Sequence, residues 1–286
     1  MKANLDCIPC FLNQSLEAAR MATGDEEVHT EVMKKVMAHL QGVSFGSSPP
    51  EISREVHALI KKITGSDDPY KKVKEESNIA AGRLYPGLKE MVERADDPLL
   101  AALKLSIAGN VIDFGTSNRF DIRDMIDRME NEGMGDSYPL FKKFLDKTES
   151  VVYLGDNAGE VFFDRLLIEK LADMGKEITY VVRANPIIND ATVEDAKYAG
   201  IDSIAEVIAG DEGQAISAPG TLLSRASPEF MDRFTDADMV ISKGQGNYES
   251  LSDVTRSIVF LLMVKCPLVA RDIGMEVGNP VLKVKE

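Results

Sequence analysis

The sequence predicts an α/β protein in two parts: a helical region over residues 1–148, then a mostly parallel sheet wrapped in helices over residues 149–286. Three observations carry this. Apolar residues recur at helical spacing through the first half, and no strand pattern appears there. After residue 150, short apolar runs alternate with helical stretches, the rhythm of strands and crossovers in a parallel sheet covered on both faces. A composition of 44% hydrophobic and 28% charged residues is that of a folded chain with ample apolar surface to bury.

The elements follow in order. Residues 9–21 place Phe11, Leu12, Leu16 and Ala19 near a 3.6 period, and residues 27–40 repeat the pattern with Val28, Val32, Val36 and Leu40. Residues 51–63 follow Pro49-Pro50, which suits a helix entry. Residues 68–92 read as two helices broken at Pro86-Gly87. Residues 98–110, rich in Ala and Leu, then 121–131 and 139–148, close the helical region. In the second half, residues 151–154, 178–182, 204–208, 239–242 and 258–264 read as strands. Residues 160–174, 191–199 and 228–234 read as helices.

A net charge of −14 argues against nucleic acid and anionic membrane as partners, since both want a basic face. Most of the excess is expected to be solvated surface, with a share gathered at a cation site. No leader pattern and no apolar run near ~18 residues is seen, so the cytoplasm is the expected location. Nothing in the sequence sets an oligomeric state. Cys7, Cys10 and Cys266 do not make a disulfide framework. The three histidines, His29, His39 and His57, sit in helical patterns and read as surface or partly buried helix residues.

In a parallel sheet the ligand sits beyond the carboxyl ends of the strands. The first such end reads Leu154-Gly155-Asp156-Asn157-Ala158-Gly159-Glu160, an oxygen-rich turn that opens a helix. Its donors suit a hard divalent cation, and the helix start beside them suits a phosphate. Asp156 or Asn157 acting only as a helix cap explains the same spacing equally well. The second end runs from Arg183 and Asn185 to Asp190, where Asp190 is either a second oxygen ligand or a cap. The third reads Lys243-Gly244-Gln245-Gly246, with a point charge for phosphate and a glycine for close approach. It matches neither a Walker A loop nor a dinucleotide fingerprint.

The strings Gly-Asp-Asn-Ala-Gly-Glu, Arg-Ala-Asn-Pro-Ile-Ile-Asn-Asp-Ala-Thr, Lys-Gly-Gln-Gly-Asn-Tyr-Glu-Ser-Leu and Val-Lys-Cys-Pro resemble those of the domain-of-unknown-function 89 family. These are the metal-dependent damage-control phosphatases. The resemblance covers nearly the whole chain, and Cys7-Ile8-Pro9-Cys10 resembles the archaeal and bacterial branch. It implies a helical domain joined to a Rossmann-like three-layer α/β/α domain, with the site at their interface. It implies a divalent metal (Mn, Mg, Co or Ni) on Asp156, Asn157 and Asp190, and a phosphate held by Lys243. Asp156, Asp190 and Lys243 are then the catalytic residues. Asn110 and Asp113 of the Gly-Asn-x-x-Asp motif, Glu160, Arg183, Asn185 and Gly244 would face the substrate. Gln245 departs from the Asp common in eukaryotic relatives, which bears on the leaving group. The implied substrates are sugar phosphates or damaged phosphometabolites. Metal-activated water is preferred to Asp156 as nucleophile, because Asp156 is already assigned to the metal.

Two other readings stand beside this one. The sheet region could hold a phosphorylated ligand without turnover. Cys7 and Cys10 could supply two ligands of a second metal site or a redox pair, or be partly buried helix-start thiols; no strand precedes them as a thioredoxin motif requires.

Overall fold

A computed structural model describes residues 1–109, 137–213 and 216–285. Local sequence sets where the first helices begin. Helix α1 spans Cys7–Ala22, and α2 (Glu26–Leu40) starts where the Asp25 carboxylate accepts from the Glu27 amide. Helix α3 (Pro49–Thr64) is opened by a Ser48–Glu51 capping box with proline in the first turn and closed by Gly65 at φ 69°. Their inner faces, including Phe11, Val32, Val36, Val56 and Ile60, form one core.

Helix α4 (Lys71–Arg94) continues through Pro86-Gly87, where two helices were expected. Pro86 and Gly87 face solvent, while Ala81, Leu88 and Val92 are buried. Burial of that inner face outweighs the one helical hydrogen bond that proline removes. Helices α5 (Pro98–Gly109) and α6 (Ser137–Leu145) follow. The helix expected over 121–131 lies outside the described residues.

The sheet region runs β1 (Ser150–Leu154), α7 (Val161–Asp173), β2 (Glu177–Val182), α8 (Val193–Tyr198), β3 (Glu206–Ala209) and α9 (Pro228–Asp236). It continues with β4 (Met239–Lys243), α10 (Gln245–Leu251), β5 (Ile258–Met263), α11 (Pro267–Ile273) and β6 (Pro280–Lys285). The strand order is β3-β2-β1-β4-β5-β6. The first five strands in that order are parallel, and β6 runs antiparallel to β5, with Ile258 opposite Lys285. Helices α10 and α11 and strand β6 were not expected from sequence. One face of the sheet, through Tyr153, Tyr180, Ile241 and Leu261, packs on α4, α5 and α7. The other, through Val152, Val240, Phe260 and Leu262, packs on α9, α10 and α11. This is the expected three-layer α/β/α arrangement. Among the described residues no helix is long and apolar enough to cross a membrane.

The chain moves outward from β1 in one direction through β2 and β3, then returns to β4 on the other side. The reversal opens a crevice at the carboxyl ends of β1 and β4. Asp156 follows one of these strands and Gly244 the other.

Candidate functional site

The turns after β1 and β2 are laced to each other by backbone. Ala191 N–H donates to the Asp156 carbonyl at 2.8 Å, and Ala158 N–H donates to the Asn189 carbonyl at 2.9 Å. Asn157 and Asp190 therefore face each other across an isolated antiparallel bridge. Ile188, at φ 45°, holds the tight end of the second turn in a conformation that a β-branched residue rarely adopts. The turn after β4 closes in from the other side. A Cβ on Gly244 would lie 2.0 Å from Asp156 Oδ2, so the carboxylate occupies room that any side chain would need. At φ 79°, Gly244 is also in a conformation that favours glycine.

Six ionisable side chains meet behind these turns, all under a tenth exposed: the carboxylates Asp156, Glu160, Asp164 and Asp190 and the cations Lys243 and Arg183. Lys243 Nζ donates to Glu160 Oε1 at 2.5 Å, Asp164 Oδ1 at 2.5 Å and the Ser106 carbonyl at 2.8 Å. Burial pulls its pKa down, but Asp164 and Glu160 outweigh that and hold it above the ordinary lysine value. Arg183 Nε donates to Asp190 Oδ2 at 2.8 Å, and its other nitrogens donate to Thr221 Oγ1 and Asn247 Oδ1. Asn157 Nδ2 donates to Asp156 Oδ2 at 2.7 Å and to Glu160 Oε2 at 3.1 Å. Burial, then Glu160 and Asp190, pushes the Asp156 carboxyl up to about 7. Burial also raises Asp190, against the opposing pull of Arg183.

Asp156, Asn157 and Asp190 line a cavity of about 220 Å³ that α1, α3 and the turns after β4 and β5 complete. Cys7, Cys10, Cys266, Glu249 and Lys265 line it as well. Burial, with Glu249 and Cys266 adding to it, raises the pKa of both Cys7 and Cys10. Burial pushes Glu249 up to about 7. Among the described residues no three His, Cys, Asp or Glu side chains form a group that could hold a metal ion by themselves. An Asp156–Asn157–Asp190 set depends on its amide member.

The structure thus brings Asp156, Asn157, Glu160, Arg183, Asp190, Lys243 and Gly244 to one place. It does not leave Lys243 at the cavity wall, as a phosphate ligand would be. The lysine is fully buried, and its three N–H donors already have oxygen partners. Arg183 is likewise turned inward. Asn185 is half-buried, with its backbone N–H on Ser217 Oγ at 3.0 Å. Asn110 and Asp113 lie outside the described residues. Sequence reasoning missed three residues. Lys265, exposed and just past the end of β5, is a lysine on the cavity wall itself. Asn247 is fully buried and ties together three strand ends: it accepts from Arg183 and donates to the Gly155 and Lys243 carbonyls at 3.2 and 2.8 Å. Asp164 sits four residues after Glu160, a helical spacing that puts both carboxylates on one face of α7.

The family model described as the damage-control phosphatase ARMT1-like domain matches residues 3–281. A damage-control phosphatase of Archaeoglobus fulgidus is 36% identical, with the match covering 100% of both chains. A damage-control phosphatase of Pyrococcus horikoshii is 36% identical over 97% of this chain and 96% of its own length. The crystal structure of a duf89 family protein from Pyrococcus horikoshii matches with a TM-score of 0.86 at 33% identity, covering 100% of each chain.

Proposed function

The chain belongs to the damage-control phosphatase ARMT1-like family, and from that premise we propose that it hydrolyses small phosphorylated metabolites with a divalent cation held by Asp156, Asn157 and Asp190. The observation that carries this reading is the charge count behind the strand ends. Were all six ionised, the four buried carboxylates would outnumber the two buried cations among them by two charges, with Lys74 and Lys265 acting on Asp190 and Asp156 from outside the set. A divalent ion would offset such an excess. Asp156 responds to the excess, since its carboxyl is pushed up to about 7 by burial, Glu160 and Asp190. The donor chemistry agrees: carboxylate and amide oxygens suit Mn²⁺, Mg²⁺, Co²⁺ or Ni²⁺.

When bound there, such an ion would act as a Lewis acid toward a phosphoryl oxygen and toward the attacking water. The protein's part is to present the donors and position the phosphate. Asn157 has its amide nitrogen engaged by Asp156 and Glu160, which leaves its carbonyl oxygen for the cation. Lys265, on the cavity wall, offers a point charge to the phosphate oxygens. We assign it the contact first expected of Lys243. Water is the proposed nucleophile, because Asp156 is committed to the cation. Sugar phosphates and damaged phosphometabolites are the proposed substrates, and the cytoplasm the proposed location. We propose that the chain divides at residues 148 and 149 into a helical part and a sheet part, with the site at their junction.

The test is hydrolysis of p-nitrophenyl phosphate by the purified, metal-stripped chain. Activity should appear on adding Mn²⁺, Co²⁺, Ni²⁺ or Mg²⁺ and vanish with chelator. Turnover that survives exhaustive chelation would overturn the metal assignment. Phosphorylated compounds that bind without turnover in all four metals would overturn the enzyme reading in favour of a binding module.

A further inference from the structure

Asp164 lies wholly inside the protein, one turn along α7 from Glu160, where a carboxylate needs a reason to be. Three hydroxyls from three elements converge on it. Tyr153 of β1 and Ser106 of α5 donate to Oδ1 at 2.8 and 3.0 Å, and Tyr180 of β2 donates to Oδ2 at 3.0 Å. Its fourth partner is Lys243. A buried ion pair needs only one carboxylate per lysine, yet Lys243 is shared between two. The second, Glu160, uses its remaining oxygen to accept from Asn157 Nδ2.

We propose that Asp164 is a positioning residue for the cation site: it fixes Lys243, Lys243 fixes Glu160, and Glu160 fixes the Asn157 amide so that its carbonyl oxygen is presented to the ion. This rests on the reading of Asp156, Asn157 and Asp190 as the cation site. The geometry makes the chain directional. An ammonium has three N–H donors in a fixed tetrahedral arrangement. Asp164 and the Ser106 carbonyl take two, so the third is aimed at Glu160 Oε1. Glu160 Oε2 and Asp156 Oδ2 then take the two N–H bonds of Asn157, which fixes which end of that amide is available. Partners one shell removed from a metal commonly set its affinity in this way.

The experiment titrates Mn²⁺ into metal-stripped protein and reads the unbound ion by its EPR signal. Asp164→Asn should weaken Mn²⁺ binding by roughly 10- to 100-fold, the range for outer partners of metal ligands. Tyr180→Phe keeps every charge and removes one donor to Asp164, so it should weaken binding by a smaller factor. If Asp164→Asn does not fold, Tyr180→Phe and Tyr153→Phe carry the test. A merely structural role would lower Tm without moving the Mn²⁺ Kd of the folded protein. Wild-type Kd values in the folded variants would overturn the proposal and leave the cation site standing. A wild-type chain that binds no Mn²⁺ would overturn both.

Discussion

Asp156 owes its position to the absence of a side chain at Gly244, whose Cβ would overlap the carboxylate. Its place at a strand end, with Asn157 and Asp190, was legible in the sequence, because strand ends in a parallel sheet announce themselves by apolar runs ending in Gly, Asp and Asn; the pattern fitted helix caps equally well, and the ligand role came from the family resemblance. Asp156→Asn or Asp190→Asn should lower phosphatase activity by more than about a hundredfold while circular dichroism stays that of the wild type, since removing a partner of a metal ligand alone commonly costs 10–100-fold. Activity near wild type in either variant would sink the assignment. Lys265 was not legible as a site residue, although the strand before it was read. Apart from its place in the Val-Lys-Cys-Pro string, its exposed side chain has no local mark that separates it from a solvated lysine. Lys265→Met should raise KM for p-nitrophenyl phosphate by about tenfold, the loss of one charge-assisted contact. Lys243 is the opposite case: its motif drew notice, but only the packed structure reveals Glu160 and Asp164 on either side of it.

At the scale of elements, the strands of the sheet interior were readable because they are buried on both faces. Strand β6 was not, since an edge strand with Lys283 and Lys285 and a leading Pro280 lacks that pattern. Helix α10 has a similar explanation: only Tyr248 and Leu251 among its seven residues are large and apolar, so tertiary packing rather than periodicity defines it. Packing can be tested where α5 meets α7. A Cβ on Gly109 would stand 2.8 Å from Phe163 Cβ and 3.3 Å from Glu160 Cγ. Gly109→Ala should therefore lower stability by about 1–3 kcal/mol in denaturant unfolding, the usual effect of overpacking. Helix α3 supplies a pH test. His57 is buried on its inner face, and burial with nearby Lys61 pushes its pKa down to about 4 from an ordinary 6.5. The unfolded chain therefore binds the proton more readily than the folded one. Stability from this group is full above pH 6.5 and is lost as pH falls toward 4, on the order of 3 kcal/mol in all. His57→Gln should flatten that part of the stability–pH curve. An unchanged curve would show that His57 is not the group responsible.

For the whole molecule, the net charge of −14 bears on the reaction as well as on solubility. A phosphate monoester approaches a protein of its own sign, and on the proposed reading the cation and Lys265 at the cavity oppose that field locally. Long-range repulsion is screened by salt more than short contacts are, because the Debye length shrinks from about 30 Å at 0.01 M to about 8 Å at 0.15 M. At saturating Mn²⁺, raising NaCl across that range should lower KM for p-nitrophenyl phosphate, roughly twofold, with kcat nearly constant. A KM that instead rises with salt would mean that the local positive charges, not the acidic surface, govern capture. Lys265→Met separates the two sources. Without that lysine the long-range repulsion acts with less local opposition, so the fall in KM with salt should steepen.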